Sequence, residues 1–232
     1  QLGFLKVLKG SKIYHNAKEY GIVYTTREPY EVLYTKWISY EEIRKLKQIE
    51  EMVELYYNSN QFTATIPILE KLFENPFALY EALASYYEEM GYFVSSPSRT
   101  YRYQVLLEFA INRIEAVSNE QLPVTYEENL FRELLTMDFY LRENAKSRPE
   151  FSKDLTPYKE AMRAFYRKEA QERTILPDYT QYDARQMAKM THIEVFDYDL
   201  NTGKRLLQPV FLLFDYKNRS PLTYEASIHQ VL

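Results

Sequence analysis

The sequence predicts a mainly α chain of the α+β class: a bundle of about six to eight helices followed by a C-terminal three-stranded antiparallel meander. Three observations carry this expectation. Apolar residues recur at helical spacing from residue 39 to about residue 190. Capping residues and glycines punctuate that stretch where helices should begin and end. Beyond residue 190 the apolar pattern shifts to strand lengths, with one segment alternating at a period of two.

Taken in order, Lys12–Tyr20 reads as a helical segment stopped by Gly21. Ser39 with Glu42 forms a capping box, in which each side chain satisfies the other's backbone N–H. It opens a long helix over residues 40–59 with an apolar stripe of Ile43, Leu46, Ile49, Val53 and Tyr56, flanked by charges that read as a solvated face. Gln61–Phe73 is a shorter helix with Pro67 in its first turn, and Asn75-Pro76 opens the next, Phe77–Met90. Its stripe is Phe77, Tyr80, Leu83, Ala84 and Tyr87, and Gly91 ends it.

Val94–Ser98 is the clearest internal linker, with Ser98 as the next N-cap. The helix Arg99–Val117 carries Tyr103, Leu107, Ala110, Ile111, Ile114 and Val117 at helical spacing. Thr125 with Glu128 repeats the capping-box signature before Tyr126–Asn144. That helix has two apolar stripes, one of Leu130, Leu134, Met137 and Leu141, the other of Phe131, Leu135 and Phe139, and so belongs at the centre of the bundle. Ser147–Leu155 is a loop, Thr156-Pro157 opens a helix to about Thr174, and a short helix follows near Tyr182–Met190. Tyr158, Met162 and Phe165 should face inward from the former.

His192–Tyr198, Pro209–Tyr216 and Leu222–Val231 then read as strands. The second is apolar on both faces and belongs in the middle of the sheet. The third alternates Leu222, Tyr224, Ala226 and Ile228 against polar residues, as a half-wet strand should. Turns at Leu200–Lys204 and Lys217–Pro221 connect them.

Composition limits the chemistry. The chain has 232 residues, enough to bury a sizeable core, and 46% are hydrophobic. Twenty-nine basic and thirty-three acidic residues give a net charge of −4, which offers no basic footprint for nucleic acid. No apolar run is long enough to span a membrane and no secretion signal is readable, so a cytoplasmic location is expected. The absence of Cys removes disulfides, thiol catalysis and Cys-ligated metals or clusters. With only 5 Gly there is no phosphate-cradling loop of the Gly-x-Gly-x-x-Gly or Gly-x4-Gly-Lys type. The unusual feature is aromatic: 23 Tyr and 13 Phe. Tyr combines a large apolar body with a hydroxyl, which suits cores with wet edges and suits interfaces. In pairs such as Tyr56-Tyr57 and Tyr86-Tyr87 one ring can point inward and the other sideways.

No catalytic constellation is legible. Asp197-x-Asp199-x-Asn201-x-Gly203 is calcium-loop-like, but Thr202 stands where the loop needs Gly and Gln208 where it needs Glu. Hairpin turn chemistry fits it better. His15, His192 and His229 lack metal-ligand spacing. The adjacent acids Glu50-Glu51, Glu88-Glu89 and Glu127-Glu128 diverge by roughly 100° on a helix and cannot share a proton.

The first sixty residues carry a resemblance. Gln1–Ser11 is an apolar run without an initiator Met that closes on Lys9-Gly10-Ser11, and the phrases EYGIVY and PYEVLYTKWISYEE follow. This order resembles the end of the barrel of cobalamin-dependent radical-SAM enzymes of the anaerobic magnesium-protoporphyrin monomethyl ester oxidative cyclase-like group, leading into an uncharacterised C-terminal domain. The turn departs from the family's Pro-Gly-Thr type at Lys9 and Ser11, and the Cys-x3-Cys-x2-Cys cluster motif is absent.

The resemblance implies that residues 1–38 are a barrel remnant and connector, residues 39–190 a helical accessory domain, and residues 191–232 a small sheet packed on it. The parent would bind a 4Fe-4S cluster, S-adenosylmethionine and cobalamin, and Val7, Leu8 and Gly10 would line its pocket. The chain itself is expected to hold no cofactor, metal or catalytic residue. Its implied role is to cap the barrel or position substrate; a helical protein-protein interaction module is the alternative. The expected partners are the upstream barrel of the same polypeptide or a second copy of this chain. Residues 1–9, lacking neighbours, should fray, turn helical or pair with another edge. Tyr30–Trp37 should lie against the helical body, leaving a Tyr-bearing apolar patch near residues 22–37.

Overall fold

A computed structural model describes residues 3–118 and 126–232. In chain order the elements are α1 Lys12–Asn16, β1 Val23–Tyr24, β2 Val32–Tyr34, α2 Tyr40–Val53, α3 Thr65–Leu69 and α4 Pro76–Glu89. They continue with α5 Tyr101–Ser118, α6 Glu128–Arg142, α7 Lys159–Glu172, α8 Ala184–Met190, β3 Thr191–Asp199, β4 Lys204–Asp215 and β5 Ser227–Gln230. The α+β class and the three-stranded antiparallel meander are as the sequence predicts. No helix among the described residues is long and apolar enough to cross a membrane. The chain forms two compact units, Gln1–Ser59 with Pro76–Val94, and Asn60–Asn75 with Ser95–Leu232.

In the first unit local signals fix the helix ends. Ser11 caps α1, its Oγ accepting from the Tyr14 N–H at 3.2 Å. Gly21 ends the following turn at φ 59°, with Gly21 N–H donating to Lys18 O and Ile22 N–H to Ala17 O. Gly91 repeats this after α4 at φ 70°, with Gly91 N–H on Glu88 O and Tyr92 N–H on Tyr87 O. Both are Schellman closures, which need a left-handed residue. The Ser39–Glu42 capping box opens α2 as expected.

Helix α2 packs along α4. Arg44–Glu88 and Lys45–Glu81 link them at 2.6 and 2.5 Å. Below them Tyr56 and Tyr87 share a hydroxyl hydrogen bond of 2.6 Å inside the unit, while Tyr57 is exposed. Phe77, expected in the inward stripe, is 52% exposed, because it sits in the first turn of α4.

Residues 5–7 pair with another edge, one of the expected outcomes. Val7 N–H donates to Tyr30 O at 2.8 Å and Val32 N–H to Leu5 O at 3.1 Å, with Lys6 opposite Glu31. Residues 5–7 therefore lie along the edge of Tyr30–Val32, opposite the side that β1 occupies. Pairing satisfies the backbone groups that a lone strand would leave open.

The second unit is built on the sheet, whose order β3-β4-β5 puts the doubly apolar β4 in the centre. Both of its faces are covered. Ile193 and Leu213 on one face pack with Phe165, Tyr166, Leu176, Tyr179 and Met187 from α7, α8 and their connection. Phe214, one residue on, points to the other face, where it meets Tyr140 of α6. Helix α6 is correspondingly buried on most sides, as its two apolar stripes predict. Its N-cap is Glu127; Thr125, expected to cap it, lies outside the described residues. An aromatic cluster of Phe62, Tyr103, Phe139 and Phe151 ties α5 to α6, with ring centroids 4.9–6.3 Å apart.

The third strand is shorter than expected. Residues 222–226 are not strand: Tyr224 has φ 58°, and Leu222 and Tyr224 are 91% and 72% exposed. Here the chain wraps onto the C-terminal end of α6 instead, where Ala226 N–H donates to Leu141 O at 2.7 Å and Arg142 pairs with Glu225 at 2.6 Å. Satisfying the open carbonyls of a helix end outweighs the ladder that simple alternation suggested.

Candidate functional site

Where α3 and α6 pass over the sheet, the second unit forms a half-open cavity of about 540 Å³. Its walls are Ile68, Met137, Leu141, Phe196, Val210 and Leu212, and polar groups enter at the β3–β4 hairpin, through Asp199 and Asn201, and at Gln230 of β5. This volume lies within the range of small-molecule sites, and apolar walls with a few polar groups are their usual lining.

Two buried carboxylates hold the walls in place. Helix α3 has no cap of its own, since Ala64 occupies the position. Asp138, fully buried on α6, supplies one across the fold. Its Oδ1 accepts from Ala64 N–H at 2.7 Å, and its Oδ2 from Thr65 N–H at 2.9 Å and from Thr65 Oγ1 at 2.6 Å. Burial pushes the carboxyl from 3.8 up to about 6, outweighing these hydrogen bonds and the charge of Arg142, which pull it down.

The second is Glu133, on the same helix. Between Phe196 and Tyr198 the β3–β4 register slips: Phe196 pairs with Val210 but Tyr198 with Arg205. Residues 206–209 thus oppose Asp197 alone, and Pro209, which cannot donate to a ladder, sits in this bulge. The bulge frees the N–H groups of Asp197 and Tyr198, and Glu133 accepts both, at 2.8–3.2 Å. Lys153 bridges Glu133 and Asp197 at 2.8 Å each. Burial raises the Glu133 carboxyl against the pull of Lys153. Tyr198, just past the bulge, also lines the cavity, and its hydroxyl donates to Glu127 at 2.6 Å.

The other buried acids are engaged in the same way. Glu194 takes both arms of Arg148 and the ring of His192, which stacks on Tyr140 at 3.7 Å. Glu169 accepts from the N–H groups of Ile175 and Leu176. Asp215 accepts from the Tyr179 hydroxyl and from the N–H groups of Lys217 and Asn218. Five carboxylates thus serve backbone and ion-pair positions.

The residues singled out from sequence are scattered. Val7 is fully buried in a core with Val32 and Ile43, Leu8 is 58% exposed, and Gly10 makes the expected turn at φ 81°. Asp199 uses its carboxylate on Asn201 N–H and Thr202 N–H, and these bonds hold it below the ordinary value. The motif is a hairpin turn. Gly203 is required there twice over, by φ 74° and because an added Cβ would stand 2.8 Å from the Tyr126 ring. His192 and His229 lie on opposite faces of the sheet, and His15 is in the other unit. Among the described residues no group of three His, Cys, Asp or Glu could hold a metal. Glu88 and Glu128 are tied to Arg44 and Arg132.

Trp37 does not pack against the helical body. It is 71% exposed, with Lys36 Nζ 4.4 Å above its ring. Replacing Trp37 with Ala should therefore shift stability by less than about 0.5 kcal/mol, as at other exposed sites. A urea midpoint lowered by more than 1 kcal/mol equivalent would contradict this.

Fold and cavity together define a helical α+β chain with a ligand-sized space in its second unit. The chain belongs to the family described as protein of unknown function (DUF4080), whose model matches residues 18–214. No curated protein and no solved structure matches it.

Proposed function

We propose that this chain is the C-terminal accessory domain of a cobalamin-dependent radical-SAM enzyme, capping the barrel or positioning substrate for chemistry done upstream. The observation that supports this reading most is the placement of exposed apolar side chains in the first unit. Leu5, Leu8, Tyr14, Val23, Tyr34 and Trp37 are 37–71% exposed, all within the segment that resembles a barrel end and connector. Tyr14, Val23, Tyr24 and Tyr34 border one open depression with His15 and Lys18. Seams between domains of one chain are moderate in area and partly polar, and Tyr-rich surface suits them. In this reading the cluster, S-adenosylmethionine and cobalamin belong to the parent, the domain works in the cytoplasm, and the separated chain pairs with itself through the same surface.

The test is made on the intact polypeptide, purified anaerobically with iron and sulfide. Cluster and cobalamin absorbance is expected, together with slower amide exchange across residues 22–37 than in this chain alone. A longer polypeptide without those chromophores, or equal exchange in both, overturns the reading. A second reading, a module that recruits a partner protein, draws on Leu207, Leu222 and Tyr224 of the other unit, which are 72–105% exposed. It is favoured if the exchange of residues 22–37 is unchanged in the intact polypeptide.

A further inference from the structure

We infer that the cavity between α3, α6 and the bulged end of the sheet is a binding site for an uncharged, mainly apolar small molecule with one hydrogen-bonding end. This goes beyond the accessory-domain reading and stands whether or not a barrel precedes the chain.

Three observations carry it. The first is size: a half-open space of about 540 Å³ in the second unit lies within the range of small-molecule sites. The second is charge. Lys, Arg and His are absent from the lining, and its one carboxylate, Asp199, is held ionised by the N–H groups of its own turn. Exposed Lys71 is directed at the Asn201 carbonyl, 3.5 Å away. In the lining itself an anion would meet no cation and one negative charge, and the nearby Lys71 is turned to a backbone carbonyl, so a phosphate or carboxylate ligand is disfavoured. The polar depression at Arg132, Lys153 and Arg205 contrasts with it, but there Glu133 and Asp197 already neutralise Lys153.

The third observation is construction. The bulge keeps β4 from closing against β3, and Asp138 and Glu133 fix α3 and the bulge on either side of the space. Strand β5 ends at Gln230, so Leu206 and Val210 of β4 face the cavity without a neighbouring strand beyond them. The site is half-open, and Asn201 at the hairpin and Gln230 at the end of β5 bring amide groups to its lining. Walls and opening together suit an elongated or ring-shaped apolar body with a single hydroxyl, carbonyl or amine.

Two dyes of one skeleton separate the terms: phenylnaphthylamine, which is uncharged, and its sulfonated analogue, anilinonaphthalene sulfonate. Titrated into the whole chain, the neutral dye should show saturable fluorescence at one site, and the sulfonate should bind at least about tenfold more weakly. Val210→Trp fills the cavity and should abolish the neutral dye's signal. Leu207→Trp, on the fully exposed side chain three residues earlier in the same strand, should leave it unchanged. Circular dichroism melts establish that each variant is folded, and Leu212→Trp replaces Val210→Trp if that variant is not. Equal affinity for the two dyes, or binding that survives the filling variant, overturns the inference. So does binding that disappears with Tyr34→Ser, which would place the dye on the first unit. The barrel seam has a separate test, which reads amide exchange of residues 22–37 in the intact polypeptide.

Discussion

Replacing Asp138 with Ala is expected to destabilise the chain by about 3–5 kcal/mol, read as a lower urea midpoint at neutral pH. The substitution strips the start of α3 of its only carboxylate cap and leaves Ala64 N–H, Thr65 N–H and Thr65 Oγ1 without their acceptor. Each unsatisfied buried donor costs about 1–3 kcal/mol, which exceeds what is regained by no longer burying a charge. Asp138→Asn keeps one acceptor and should cost less, about 1–2 kcal/mol. A midpoint for Asp138→Ala equal to wild type would show that α3 does not depend on this cap.

The same residue sets a pH dependence. Folding raises the Asp138 carboxyl from 3.8 to about 6, so the folded chain binds this proton more tightly than the unfolded chain does. A raised folded value contributes stability that is complete below the unfolded value and is lost as pH rises through the folded one. Measured against Asp138→Asn, wild type should therefore gain stability as pH falls from about 7 to about 5, by roughly 1 kcal/mol over that window. A difference that stays flat, or falls, over that range contradicts the assignment.

Removing Arg148 should be nearly as damaging, and more so than removing its partner. The Glu194 side chain is 1% exposed, whereas that of Arg148 is 33% exposed. Arg148→Met leaves a buried carboxylate with only His192 beside it and should cost about 3 kcal/mol. Glu194→Gln leaves a guanidinium that water already reaches and should cost about 1 kcal/mol. The double variant should recover part of the loss, because it no longer strands a charge. Equal losses for the two single variants would show that burial does not govern this pair.

These residues mark the boundary of what the sequence expresses. The Ser39–Glu42 box and the stops at Gly21 and Gly91 were legible, because capping and left-handed turns join residues within six positions of one another. The central place of β4 was legible too, since a strand apolar on both faces has to be covered on both. The carboxylate caps were not. Asp138 serves residues 73 and 74 positions away and Glu133 residues 64 and 65 positions away, and neither pair leaves a trace in spacing. On α6 both read simply as polar gaps between two apolar stripes. The cavity was hidden for the same reason, its lining being drawn from two helices and three strands with no motif among them.

The misreadings have a common physical cause. Leu222 and Tyr224 fit a strand period, yet the chain there turns to meet the end of α6. Trp37 fits an apolar cover, yet its ring stands in solvent beneath Lys36. By itself the sequence determined the class of the fold, most helix limits, the order of the sheet and the lack of a Cys-based or glycine-loop chemistry. Only the tertiary structure decided which carboxylates are buried, where β4 bulges and what space remains beneath it. Local periodicity and capping are set by residues a turn apart, whereas burial and desolvation are set by whatever the fold brings near.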